Sequence, residues 1–161
     1  MELNQTFLLL GSNLGDRASN LQKAIAFIDL HIGVVLKKSS VYETKPWGKS
    51  DQPDFLNLAL IIKSLLSSEQ ILNHALLIEQ KMGRNRIEKW GARLIDIDLL
   101  YVGNEIVNTA NLTLPHPGIT GRRFVLEPLV EIAPDFIHPT LKKTHTNLLG
   151  MCTDTLKVRK L

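Results

Sequence analysis

The tetrapeptide Ile95-Asp96-Ile97-Asp98 sets two carboxylates two residues apart between branched apolar side chains. In an extended strand successive side chains alternate faces, so Asp96 and Asp98 project together, about 7 Å apart at Cα, while Ile95 and Ile97 turn toward a core. Neighbouring carboxylates repel unless a cation lies between them. A hard ion such as Mg2+ takes one or two carboxylates and completes its octahedron with water and phosphate oxygens. The solvated face of an antiparallel sheet would give the same pattern. The preceding segment favours the metal: Lys81, Arg84, Arg86, Lys89 and Arg93 stand close together with Glu88 as the only acid and with Gly83 and Gly91 among them. The planar fork of arginine suits phosphate oxygens, so a basic segment beside two carboxylates can gather a nucleoside triphosphate with its metal. Taken singly, each of these cations reads as a solvated surface charge.

Other phosphate devices are absent. The stretch Gly11-Ser12-Asn13-Leu14-Gly15-Asp16 lacks the Lys-Ser/Thr end of a P-loop and the three-glycine spacing of a dinucleotide fingerprint, and reads as a structural strand-to-helix turn. The histidines form no zinc-binding helix pattern; only His116, between Pro115 and Pro117, reads as functional, and the others read as surface or packing residues. No nucleophile stands in an activating context, and phosphoryl transfer needs none, since positioning and charge neutralisation suffice. Aromatics are few, so Trp47, Phe55, Trp90 and Phe124 stand out as surfaces on which a flat heteroaromatic could stack. For Phe55 and Phe124 core packing is the stronger reading on pattern alone. Asn57, early in an apolar strand, could read ring donors and acceptors or serve as an edge-strand polar residue.

These residues need elements to hold them. Thr6–Leu10 reads as a strand, followed by a helix capped by Asp16 and running to about Asp29, then a strand over Val34–Tyr42. A long loop from Lys45 to Asp54 leads to a strand over Phe55–Lys63. Ser67 and Gln70 form a capping box that opens the next helix, with Gly83 as its stop. Ile95–Tyr101 is a strand turning at Gly103-Asn104 toward a short partner at Glu105–Val107, and a helical stretch around Phe124–Ile132 ends before Pro134. Strand, helix, two strands, helix, strand is the order of an α+β, ferredoxin-like βαββαβ sandwich, with a mainly antiparallel sheet and helices packed on it.

The sequence resembles the 6-hydroxymethyl-7,8-dihydropterin pyrophosphokinase family of folate biosynthesis. The resemblance runs from Gly11-Ser12-Asn13-Leu14-Gly15 through Gln52-Pro53-Asp54-Phe55-Leu56-Asn57, Ile78-Glu79 and Gly83-Arg84. It continues through Trp90-Gly91-Ala92-Arg93-Leu94-Ile95-Asp96-Ile97-Asp98, Leu114-Pro115-His116-Pro117 and Glu131-Ile132-Ala133-Pro134. It implies transfer of the terminal diphosphate of ATP to the pterin hydroxymethyl group with release of AMP, without a covalent intermediate. It implies that Asp96 and Asp98 hold two Mg2+ ions, with Arg84 and Arg93 assisting the transfer. It implies that Phe55 and Phe124 sandwich the pterin, that Asn57 hydrogen-bonds it, and that groups around Thr44, Pro46 and Trp47 complete its edge. Glu79 would contact the nucleotide sugar, and Arg84, Arg86, Arg93, Thr113, His116 and Arg122 the phosphates or nucleotide. Trp90 would ride on a loop that closes over both substrates. Departures fall at Leu76, Asn111 and Gly118, where some members carry polar or basic nucleotide contacts, and at Lys89, which replaces an arginine.

Composition fits these expectations. The 161 residues, 44% hydrophobic and 22% charged, describe one domain spanning residues 1–161 that can bury a core without staples. A lone cysteine, Cys152, excludes an intramolecular disulfide and suits a reducing, cytoplasmic setting. No apolar run approaches the roughly 20 residues of a membrane span, so no membrane partner is expected. A net charge of +3 is mild for nucleic-acid binding. An RNA-binding module shares the strand order, but Gly121-Arg122-Arg123-Phe124-Val125 lacks the flanking aromatics of its stacking motif, and the Asp pair would repel phosphates without a metal. The expected state is a monomer acting on small molecules.

Overall fold

The computed structural model describes residues 4–45, 53–83 and 94–161. Along the chain they form β1 (Asn4–Ser12), α1 (Arg17–His31), β2 (Val34–Lys38), β3 (Tyr42–Thr44), β4 (Phe55–Ser64) and α2 (Ser68–Lys81). These are followed by β5 (Asp96–Val102), β6 (Val107–Asn108), β7 (Thr113–Leu114), α3 (Arg123–Ile132), α4 (His145–Met151) and β8 (Val158–Lys160). The main sheet runs β5-β1-β4-β3-β8, with β2 also beside β4, and every pairing in it is antiparallel. Within it, β1, α1, β2, β4, α2 and β5 make the expected ferredoxin-like α+β core.

Local chemistry accounts for the helix starts. The Asp16 side chain accepts from Ser19 N–H at 3.1 Å and caps α1. Ser67 and Gln70 close the expected capping box, at 3.2 Å and 2.9 Å, and Gly83 takes a φ of 87° just past α2.

The apolar residues of the sheet divide between two cores. Leu8, Leu10, Leu58, Leu60, Ile62, Ile97 and Leu99 pack against Leu21, Ala24 and Ile28 of α1 and Ile71, Ala75 and Ile78 of α2. On the other face Phe7, Leu9, Ala59, Ile61, Leu100 and Tyr101 pack under Val125, Leu126, Leu129 and Ile132 of α3 and Leu148 of α4. Burial on both faces explains why β4 reads as a continuous apolar run. A bulge opposite Phe7 and Leu8 leaves Leu100 as an extra residue, so Leu100 and Tyr101 both join the second core.

Three details differ from the sequence expectations. The strand expected over Val34–Tyr42 is broken, because Ser39 Oγ takes the N–H of Ala59 at 2.9 Å in place of a ladder carbonyl, and Tyr42 then belongs to β3. The short strand after Gly103 pairs with β7 as a separate two-stranded ribbon. The second helical layer, with α4 and the returning β8, lies beyond the six-element pattern read from the sequence. Among the described residues no helix is long and apolar enough to cross a membrane.

Candidate active site

The second core stops partway along the sheet. Its members on β1, β4 and β5 end at Leu9, Ala59 and Leu100, and beyond them the same face carries Gly11, then Asn57 and Phe55, then Asp98 and Asp96. The register sets these residues in a row: Asp96 is opposite Gly11, which is opposite Asn57, which is opposite Tyr42. With strands about 4.8 Å apart, the backbones of Asp96 and Asn57 are about 10 Å apart. Asp96 and Asp98 share a face, as their spacing predicts, and both are half-buried.

β5 is an edge strand, and its outward backbone groups need partners. Glu79, buried on α2, accepts from Ile97 N–H at 2.7 Å, between the two aspartates. His116 N–H donates to Leu100 O at 3.0 Å and brings its loop against the same edge. Between these two supports lies a cleft of about 340 Å³, walled by Leu72 and Leu76 of α2, by Leu112 and Thr113 of the ribbon, and by His116. Asp96, Asp98 and Glu79 also line it. Apolar walls with a few converging polar groups are the usual make-up of a small-molecule site.

The His116 tautomer follows from its contacts. Nδ1 accepts from Gly118 N–H at 2.9 Å, which leaves Nε2 to carry the ring proton. Burial, helped by the Arg122 guanidinium, holds its pKa below the ordinary histidine value, so the ring is neutral at neutral pH. Arg122 is the N-cap of α3 and lies over the Phe124 ring at 5.9 Å.

Phe55, on the same sheet face as the aspartates, is half-buried, and Phe124 is half-buried and packs against the second core from α3. Asn57 is buried, and β4 is paired on both sides, which removes the edge-strand reading of this amide. Its Nδ2 donates to Leu10 O at 3.1 Å. Thr44 faces Phe55 across the ladder and is buried; its Oγ1 and that of Thr6 are the two buried side-chain polar atoms without a hydrogen-bond partner among the described residues.

Of the sequence-expected residues, Glu79, Asp96, Asp98, Thr113 and His116 line the cleft, Thr44, Phe55 and Asn57 lie on the adjoining sheet face, and Arg122 and Phe124 stand together at the start of α3. Pro46, Trp47, Arg84, Arg86, Lys89, Trp90 and Arg93 lie outside the described residues. One participant escaped sequence reading: Gly11, where a Cβ would stand 2.6 Å from Asn57 Nδ2 and 3.6 Å from Phe55 Cδ1. A glycine inside an apolar strand was the available signal, because it marks a close approach.

No cluster of three or more His, Cys, Asp or Glu able to hold a metal occurs among the described residues. Two carboxylates beside an open cleft instead match Mg2+, which keeps most of its positions for water and substrate phosphate. The donor set fits that ion.

Comparison with known proteins agrees in extent. The family model for 7,8-dihydro-6-hydroxymethylpterin-pyrophosphokinase matches residues 7–134. The 2-amino-4-hydroxy-6-hydroxymethyldihydropteridine pyrophosphokinase of Synechocystis sp. is 43% identical over 141 residues, which is 87% of this chain and 72% of that protein. Its namesake in Bacillus subtilis is 44% identical over 130 residues, 80% of this chain and 78% of that protein. Among solved structures, a Plasmodium falciparum HPPK-DHPS triple mutant has a TM-score of 0.78 at 17% identity, a likeness of fold. The alignment covers 93% of this chain and 43% of that one.

Proposed function

Because the chain belongs to the 7,8-dihydro-6-hydroxymethylpterin-pyrophosphokinase family and is thereby an ATP-dependent diphosphotransferase, we propose that Asp96 and Asp98 are the metal-binding centre between its two substrates. The observation that carries this reading is their position: the cleft opens on the outer edge of β5, the Asn57 and Phe55 face lies two strands inward, and the carboxylates stand between. ATP takes the cleft, with its adenosine against Leu72, Leu76 and Leu112 and its phosphates toward His116, Arg122 and the aspartates. The pterin lies over β4 between Phe55 and Phe124, with Asn57 and the Thr44 hydroxyl at its edge.

In the reaction the pterin hydroxyl oxygen forms a bond to the β-phosphorus while the bond from that phosphorus to the oxygen bridging to the α-phosphate breaks. AMP leaves, and the hydroxyl proton is released. Two Mg2+ ions held by Asp96 and Asp98 would supply charge neutralisation on the transferred group and lower the hydroxyl pKa. The chain's own part is orientation. Glu79 fixes the backbone between the two aspartates, and neutral His116 offers an Nε2–H donor to a phosphate oxygen without adding charge. Arg122 supplies a fixed cation, and Arg84, Arg86 and Arg93 add the positive field suited to a triphosphate. The family resemblance assigns Trp90 to closure over the substrates and Pro46 and Trp47 to the pterin edge, and Thr113, on the cleft wall, would meet the nucleotide.

Asp98→Asn tests the assignment. It preserves shape and removes the charge a hard ion requires, so turnover should fall by roughly a thousandfold or more with the thermal midpoint unchanged. Turnover near that of the parent enzyme would overturn the metal reading.

A further inference from the structure

The site's pterin side rests on β4, and the two residues that lead into β4 are held from an unexpected direction. Arg17, the first residue of α1, does not line the cleft and has no place in the transfer described above. Its NH1 donates to Asp54 O at 2.8 Å and also pairs with Glu43 Oε2 at 2.9 Å. Asp54 immediately precedes Phe55, and Glu43 stands between Tyr42 and Thr44 on β3, the strand paired with Asn57 and Phe55. Asn13, in the turn between β1 and α1, donates its amide to the preceding carbonyl, Pro53 O, at 3.2 Å. The other Glu43 oxygen, Oε1, takes the Arg159 guanidinium from β8, a strand beyond the residues that the family model matches.

We propose that Arg17 is a positioning residue for the pterin half of the site, working through the Asp54 carbonyl and the Glu43 carboxylate. The inference rests on the pterin reading of Phe55 and Asn57 given above. A single guanidinium nitrogen has two hydrogens, and here one meets the backbone carbonyl of Asp54, just before β4, and the other a carboxylate of β3. Those are the two strands that set the separation of Thr44 from Phe55. The Glu43 carboxylate is only 16% exposed and its pKa is held below the ordinary range, first by the hydrogen bond from Arg17 and then by that from Arg159. The bracing is therefore charge-assisted on both sides, and such bonds are about twice as strong as neutral ones. Without it, the entry to β4 loses its tether to α1, and Phe55 and Asn57 lose their fixed height on the sheet. Among the described residues Arg17 does not line the nucleotide cleft, so the loss should be confined to one substrate.

The test is a steady-state comparison of parent enzyme, Arg17→Met and Arg17→Lys with ATP and 6-hydroxymethyl-7,8-dihydropterin varied in turn. Arg17→Met keeps the aliphatic stem and should raise the pterin KM about tenfold, with the ATP KM within about twofold. Arg17→Lys restores one of the two contacts and should recover part of the pterin KM. If Arg17→Met does not fold, Arg17→Lys carries the test alone by a pterin-specific rise. An unchanged pterin KM, or equal losses for both substrates, would overturn the proposal. Failure of the parent enzyme to bind the pterin would instead overturn the site reading beneath it.

Discussion

At position 11 the sheet has room for a hydrogen but not for a methyl. A Cβ there would come within 2.6 Å of the Asn57 amide, which itself donates to Leu10 O at 3.1 Å. Gly11→Ala must therefore displace Asn57, and the pterin KM should rise about tenfold while the ATP KM stays near its parent value. Kinetics with each substrate varied would show this, and an unchanged pterin KM would separate Asn57 from pterin binding. Residue-level chemistry was only partly legible beforehand. The Asp-x-Asp alternation announced itself because strand geometry alone brings the two carboxylates to one face. The Gly11 and Arg17 roles did not, because each depends on which strands become neighbours, a property of topology that no local spacing records.

Elements position the site by satisfying one another's backbone groups. β5 carries both aspartates on an open edge, and α2 closes that edge with the buried Glu79 carboxylate at Ile97 N–H. Replacing Glu79 by Leu would leave that N–H buried without a partner, at a cost of about 1–3 kcal/mol. Urea unfolding should register this destabilisation, together with a fall in kcat as the aspartate strand loses its anchor; unaltered stability would show that the bond is dispensable. The helix limits were legible because caps are local: Asp16, the Ser67–Gln70 box and Gly83 each act within one turn. The break in the second strand was not, since it depends on Ser39 reaching Ala59, a residue 20 positions away. For the same reason the pairing of β6 with β7 and the late strand β8 lay outside sequence reading.

Across the whole molecule, two cores hold the sheet between helical layers, and the second contains a buried polar chain. Tyr101 O–H donates to His145 Nε2 at 3.0 Å, and His145 Nδ1–H donates to Ala133 O at 2.7 Å. His145 is fully buried, and burial lowers its pKa to about 4. His138, against the same Tyr101 ring, is shifted in the same direction by burial. A histidine kept neutral in the fold contributes stability that is present above its unfolded pKa near 6.5 and is lost as pH falls through the folded value. About 3 kcal/mol should therefore disappear between pH 6.5 and 4 on account of His145. Thermal midpoints measured across that window should fall steeply for the parent protein and more gently for His145→Gln; parallel profiles would remove His145 as the cause. At this scale the α+β class was legible from element order, and the extra helical layer, whose core among the described residues ends short of Gly11, was not. The assembled molecule makes one demand above the rest, that nucleotide and pterin meet across the aspartate pair. The most direct check is to incubate the enzyme with ATP, Mg2+ and 6-hydroxymethyl-7,8-dihydropterin and resolve the products by chromatography. AMP and the pterin diphosphate should appear in equal amounts, whereas ADP with a pterin monophosphate would contradict attack at the β-phosphorus.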